Sequence, residues 1–250
     1  MPYKGMRGAP QAKGYSEAGA STSRRALKGF KPDSGSPNED INYNNQILRQ
    51  RARMLYMASP VAGAAINTNR TKVVGTGLSL KSSIDRETLG LSAGAAKEWQ
   101  QHTEREFRLW AGDKGHCDAI GLNNFEGLQQ LALTSWLMNG DCFALIKRGR
   151  ADKMHPYSLR IHLVEADRIA TPGKAAVGAL ACGTEGKNPD NQHRIFDGVE
   201  VDAGGSVVAY HIRNTYPFQL TAEETKWQRV AAYGERTGLP NILHIMNNER

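Results

Sequence analysis

The hydrophobic period of this chain changes at Gly140, and that change limits the folds open to it. Upstream, apolar side chains recur at helical spacing; downstream they recur at strand spacing. Trp99, Thr103, Phe107 and Trp110 stand four, four and three residues apart, which predicts a helix over 92–110. A second helix begins at Asn124-Phe125, with Leu128, Leu131, Ala132, Ser135 and Met138 on its buried side, and Gly140 ends it as a left-handed cap. Cys142–Lys147 and Leu159–Glu165 then read as strands. Val199–Asp202 and Val207–Ile212 read as a hairpin about Ala203–Ser206, and Asn241–Met246 as a last short strand. Helices first and strands later is the order of an α+β fold with a mixed, mainly antiparallel β region.

Before these elements lie two more helices. Gln46–Met57 places Ile47, Leu48 and Leu55 on one face and Arg49 and Arg53 on another. Ser59-Pro60 reads as an N-cap followed by proline at the first helical position, and a helix through Val61, Ala64, Ala65 and Ile66 runs to about Thr71. Lys72–Leu80 alternates Val74, Leu78 and Leu80 around two glycines, the pattern of a strand bent by turns. Residues 171–195 read as a loop, and 214–238 as polar and irregular with Trp227 and Tyr233 as anchors.

The charge is concentrated at one end. Residues 1–60 carry ten basic side chains and four acidic ones, so they hold six of the seven net positive charges; the pI is near 9.4. Residues 1–40 are also rich in Gly, Ser, Pro and Ala, too poor in apolar surface to offset ordering entropy, and read as a flexible basic arm ahead of an α+β region over 41–250. Basic balance suits contact with a polyanion. No apolar run approaches the ~18 residues of a spanning helix, and the N-terminus has no secretory h-region. Cys117, Cys142 and Cys182 form no metal-type spacing and read as the reduced thiols of a cytoplasmic protein. Membrane proteins, disulfide scaffolds and zinc modules are thereby excluded.

Candidate chemistry fails motif by motif. Gly90–Gly94 fits the pattern around a nucleophilic serine, but no buried strand precedes Ser92, which is better an N-cap. Gly183–Lys187 lacks the first glycine and the final Ser or Thr of a phosphate loop, and Gly75 and Gly77 have no third glycine. His116-Cys117-Asp118 has no second ligand pair and reads as structural. Glu165 and Asp167 stand beside Arg168, which favours a local ion pair or turn hydrogen bonds over acid–base work. Asn69–Thr71 is a glycosylation sequon by pattern only. The seven histidines are scattered, so no catalytic site, metal or cofactor is expected.

Taken in order, the motifs from about Asn42 onward resemble the N-terminal half of the portal proteins of lambda-type tailed bacteriophages. Arg51–Pro60 looks like that family's Arg-rich helix and Ser/Asn-Pro corner, and Val74–Leu78 is similar to its VGTGL segment. Cys117-Asp118, Asn124-Phe125, Leu128-Gln129 and Gly140-Asp141 resemble its CD, NF, LQ, GD block. Leu163–Arg168 looks like its LVEADR strand end, and Gly198–Asp202 with Ala209–Ile212 its hairpin. Six fragments in register carry the resemblance. Members of the family are about twice this long, so the resemblance implies a truncated chain or fragment; residues 1–40 lie outside it.

The resemblance implies the wing region of a non-enzymatic head-tail connector subunit. Such subunits form a ring, usually of twelve, at one capsid vertex; the interface is heterologous and closes on itself. The implied partners are the terminase, the major capsid protein, head-completion and tail proteins, and double-stranded DNA held without sequence preference. The implied locations are the virion and, during assembly, the host cytoplasm. DNA that slides requires electrostatic contact. Arg49, Arg51 and Arg53, with Arg24 and Arg25 of the arm, are therefore the expected partner or DNA contacts, and Tyr56, Trp110 and Trp227 are aromatic groups available to an interface or the core. A sequence-independent nucleic-acid-binding module with a basic arm is the alternative.

Overall fold

In the computed structural model, residues 25–27, 29, 35–36, 38–173, 185–217 and 224–247 are described. The chain divides into residues 1–36 and residues 37–250, and all the elements below belong to the second unit. After a π-helical turn at Asn38–Asn42, helix α1 spans Tyr43–Ala58 and α2 spans Pro60–Val73. Ser59 makes the corner as expected: its hydroxyl accepts from the Ala62 amide at 3.4 Å, and Pro60 has no donor to lose. Helix α3 (Ala93–Gly112) is capped by Ser92, whose Oγ accepts from Ala95, so that serine closes a helix end. A single turn, α4 (Lys114–Cys117), leads to α5 (Phe125–Asn139), capped at one end by Asn124 and at the other by Gly140 at φ +88°.

Two antiparallel sheets follow. Strands β1 (Asp141–Arg148), β2 (Leu159–Val164) and β8 (Ile242–Met246) form one, in the order β2-β1-β8. Strands β3 (Glu185–Lys187), β4 (Arg194–Phe196), β5 (Val199–Val201), β6 (Val207–Arg213) and β7 (Trp227–Ala231) form the other in simple meander order. A helical first half and two antiparallel sheets make the fold α+β.

The central strand β1 of the smaller sheet is buried on both faces, which explains why Cys142–Leu145 is a continuous apolar run. Phe143 and Leu145 meet Tyr210 and Ile212 of the larger sheet, together with Val164, Ile169 and Ile242. On the helical side Trp110, Cys117 and Leu128 pack with Phe107 and Phe125 against Ile161 and Leu163 of β2. Trp110 also donates its indole N–H to the Leu159 carbonyl at 2.8 Å, satisfying the one polar atom of a buried ring.

Several expectations need correction. Lys72–Leu80 is not a strand: α2 continues to Val73, and a turn leads into unpaired extended backbone. The Gln129 side chain supplies what a neighbouring strand would, accepting from the Leu78 amide at 2.7 Å and donating to its carbonyl at 3.4 Å. The region 171–195 is not all loop, because β3 and the start of β4 lie in it, and β7 lies in the stretch read as irregular. Leu131 is exposed rather than buried. Cys182 and most of the basic arm, including Arg24, lie outside the described residues.

Gly140 and Gly198 both have positive φ, but their surroundings differ. A Cβ on Gly140 would meet nothing within 4 Å, whereas one on Gly198 would stand 2.5 Å from the Ala170 nitrogen and 2.8 Å from the Ile169 carbonyl carbon. Gly140→Ala should therefore cost about 1 kcal/mol, from conformation alone. Gly198→Ala should cost clearly more, about 3 kcal/mol or above, because backbone must move. Urea melts of both variants check the order; equal losses would contradict it.

Candidate functional site

Helix α1 carries the arginines singled out in the sequence, and it is turned so that two of them face inward. Arg49 is only 6% exposed. Its Nη2 lies 3.1 Å from Asp141 Oδ1 and 3.2 Å from Oδ2, its Nη1 lies 3.6 Å from Asp197, and its Nε donates to the Asn139 carbonyl at the end of α5. One turn later Arg53 donates to the Asn139 side chain at 3.0 Å and to Asp167, with Glu165 at 3.8 Å. Asn45 adds a hydrogen bond to Asp197, and His244 of β8 stands 3.4 Å from Asp141. Residues 45, 49 and 53 share a helix face by their four-residue spacing. That face therefore meets the end of α5, the start of β1, the 3₁₀ turn Ala166–Arg168 and the β4–β5 turn.

Arg51 points elsewhere and is exposed. It stands three or four residues from Ile47, Leu48, Met54 and Leu55, all exposed, and Met57 and Val61 extend this surface around the α1–α2 corner at 78% and 80% exposure. The three arginines thus do not form one face. Arg49 and Arg53 are held in intrachain ion pairs, and the apolar side is the outward one. An ordinary surface helix has the opposite arrangement. Arg25 is exposed. Of the aromatic groups considered, Trp110 is core, Tyr56 is half-buried, and Trp227 lies under the Arg213 guanidinium at 5.5 Å.

Of the local ion pair or turn hydrogen bonds expected here, the turn bond forms, from the Arg168 amide to the Glu165 carbonyl at 2.9 Å, while the two carboxylates pair with Arg53 and the Arg168 side chain donates to the Arg213 carbonyl. The 3₁₀ turn brings Asp167 under α1, within reach of Arg53. Sequence reasoning missed Asp197, although a local signal marks it. Asp197-Gly198 is a two-residue hairpin loop with positive φ at both positions, the geometry that Asp-Gly favours. Burial pushes the Asp197 carboxyl above its ordinary range, with Arg49 and Asn45 opposing the shift.

A second charged centre lies in the larger sheet. Glu200 is fully buried on β5 and bonds to Arg229 at 2.8 and 3.0 Å, His211 at 2.8 Å, Asn191 at 2.8 Å, Asn188 at 3.1 Å and His193 at 3.2 Å. The strand register puts Glu200 opposite Ala209, with His211 two residues on and facing Arg229. Burial raises the Glu200 carboxyl pKa, but the bonds from Arg229, Asn191, His211 and Asn188 outweigh it and hold the group well below the carboxylate range.

The remaining candidates are structural in their contacts. Asp118 accepts from the amides of Ile120, Leu122 and Asn123 and so closes the loop after α4. Burial pushes the thiols of Cys117 and Cys142 up to about 11, far from reactive thiolates. A cleft of about 640 Å³ between α3 and β2 is walled by Phe107, Trp110, Phe125 and Leu159, with Tyr157 donating to Glu106 at 2.9 Å. Among the described residues no group of His, Cys, Asp and Glu is placed to hold a metal ion, and no helix is long and apolar enough to cross a membrane.

The chain belongs to the lambda family of phage portal proteins, which its residues 23–250 match. That family is structural, not enzymatic. The chain is also 24% identical over 204 residues to a protein described as a probable portal protein of Halomonas phage phiHAP-1. The match covers 80% of this chain but 35% of that protein, so the chain spans about a third of its relative's length.

The two buried centres can be tested by substitution. Arg49→Ala removes the cation shared by Asp141 and Asp197, leaving only His244 and Asn45 beside them, and should cost about 3–5 kcal/mol, whereas Arg51→Ala should change the stability of the isolated subunit by less than about 0.5 kcal/mol. Chemical denaturation separates the two, and equal effects would refute the clamp. Glu200 has a folded-state pKa below the unfolded one, near 4.5, so its contribution is full above that value and is lost as pH falls through the folded-state value. Glu200→Gln should therefore cost about 2 kcal/mol at neutral pH. The difference from the parent should shrink as acid is added, in a series of melts between about pH 7 and pH 3.

Proposed function

We propose that this chain is part of a head-tail connector subunit that assembles, through copies of itself, into a ring at a capsid vertex. About twelve copies would close the ring, through a heterologous contact repeated around the axis. In this reading the ring passes double-stranded DNA during packaging and ejection, docks the terminase, and contacts the major capsid protein and the head-completion and tail proteins. Its place is the virion, and the host cytoplasm while heads are assembled.

The observation that carries the reading is the inverted helix α1. A monomer gains by burying Ile47, Leu48, Met54, Leu55, Met57 and Val61, yet all six are exposed while two arginines occupy the inner face. An apolar surface on a self-clamped helix fits a partner surface rather than solvent. A second copy is the occupant that the family reading supplies. Arg51 stands within this patch and Arg25 belongs to the basic arm; both are proposed contacts for a neighbouring copy or for DNA. Arg24, proposed with them, lies outside the described residues.

Negative-stain electron microscopy with mass measurement in solution tests the proposal. The expected result is rings with a central hole. Leu48→Glu with Leu55→Glu should abolish rings while the far-ultraviolet circular dichroism stays unchanged, because both side chains are outside the core. Ringless small particles from the parent protein at high concentration would overturn it. Salt-sensitive DNA binding by such particles would favour the nucleic-acid-binding module instead.

A further inference from the structure

Residues 147–162, the open end of the β1–β2 hairpin, hold five Lys and Arg, two His and one Asp. The single acid is already engaged. Asp152 Oδ1 accepts from the amides of Met154 and His155 and lies 3.4 Å from the His155 ring, so it neutralises none of the lysines and arginines. Among the described residues none of Lys147, Arg148, Arg150, Lys153 and Arg160 has a carboxylate at ion-pair distance.

The strand register makes this more than a solvated basic loop. Lys147 lies directly opposite Arg160, and His162 is the next residue on that face. Like charges directly opposed across a ladder repel. Arg160 Nε and His162 Nδ1 are, in addition, buried without a hydrogen-bond partner. Burial, then the charges of Lys147 and Arg168, lowers the His162 pKa. Asp118, the nearby acid, has its carboxylate taken up by three backbone amides. Positive charge converges here with no carboxylate of the described residues paired to it, and Arg148, Arg150 and Lys153 continue the charge outward along the exposed tip.

We propose that this hairpin end is a contact for the phosphate backbone of duplex DNA, made without sequence preference. The proposal rests on the portal reading for the identity of the polyanion. The chemistry favours phosphate over an acidic protein because the cations run along the hairpin tip, while the apolar cleft of this segment opens on the other face of β2, where Leu159 and Ile161 alternate with Arg160 and His162; protein partners are held by apolar anchors set among the charges. An anion between Lys147 and Arg160 would relieve their repulsion.

Fluorescence anisotropy with a labelled duplex of random sequence, titrated over a range of salt, tests this. Lys147→Gln, Arg148→Gln, Arg150→Gln and Arg160→Gln combined should weaken binding at least about tenfold and flatten the salt dependence, by roughly 0.9 in log–log slope for each phosphate no longer neutralised. Removing the same charge from exposed residues around α3 (Arg86→Gln, Lys97→Gln, Arg105→Gln and Arg108→Gln) should leave the slope near that of the parent. A melt confirms that the hairpin variant folds. An unchanged slope in the hairpin variant, or an equal weakening in the α3 variant, overturns the proposal. So does tighter binding of polyglutamate than of DNA with the same weakening on mutation, which would make the occupant an acidic polypeptide. Microscopy of the same samples separates the two claims: rings with an unchanged slope remove only the hairpin contact, while ringless particles that release DNA when the hairpin charges are removed exclude only the ring.

Discussion

Arg49 ties together stretches of chain that sequence keeps far apart. Its guanidinium bonds to Asp141 at the start of β1, to Asp197 in the β4–β5 turn and to the last carbonyl of α5, while Arg53 reaches the turn after β2. The first helix, the longest-range strand connections and both sheets therefore meet at one group of charges. A buried cation with this many acceptors offsets its desolvation only where all of them are present. The orientation of α1 is in consequence tied to the positions of β1, β4 and β5. An apolar contact would tolerate sliding and rotation of the helix; a fork of directed N–H groups does not.

The same logic recurs around Glu200, where one carboxylate on a short strand gathers the β3–β4 turn, β6 and β7. Three strands of the larger sheet have only three residues each, too few for strong ladders on their own. A saturated buried carboxylate gives them a fixed register. Both centres put rigidity in the β region and leave the outer side of α1 and the β1–β2 hairpin end to make contacts. The charges are sorted accordingly: those that define the shape of the fold are neutralised inside, and those of the hairpin end have no carboxylate of the described residues at ion-pair distance.

Local features were legible in the sequence wherever local physics decides. Ser59-Pro60, Ser92, Asn124 and Gly140 bound their helices as read, because caps depend on one side chain and the next turn. The β1, β2, β5, β6 and β8 strands follow their short apolar runs, which alternate in β2 and are continuous in the doubly buried β1. Lys72–Leu80 misled because its apolar residues alternate, yet the ladder partner that a strand needs is replaced by one glutamine side chain. β3, β4 and β7 were missed because short strands paired within a meander need little apolar patterning of their own. The site was legible only in part. Arg49 and Arg53 stood out, but Asp141 and Asp197 are 92 and 148 residues from Arg49, as position numbers show, and no local pattern links them.

The sequence by itself determined the class of the fold, the caps and turns that bound its helices, and the family to which its motifs belong. These rest on period, on backbone conformations that only certain residues adopt, and on motifs read in order. Which face of α1 lies inside was decided only by the tertiary structure. An amphipathic helix read alone turns its apolar side inward, since burying an unpaired arginine is far costlier than exposing a leucine. Four carboxylates brought beneath the helix from distant parts of the chain reverse that preference, and with it the surface the protein presents.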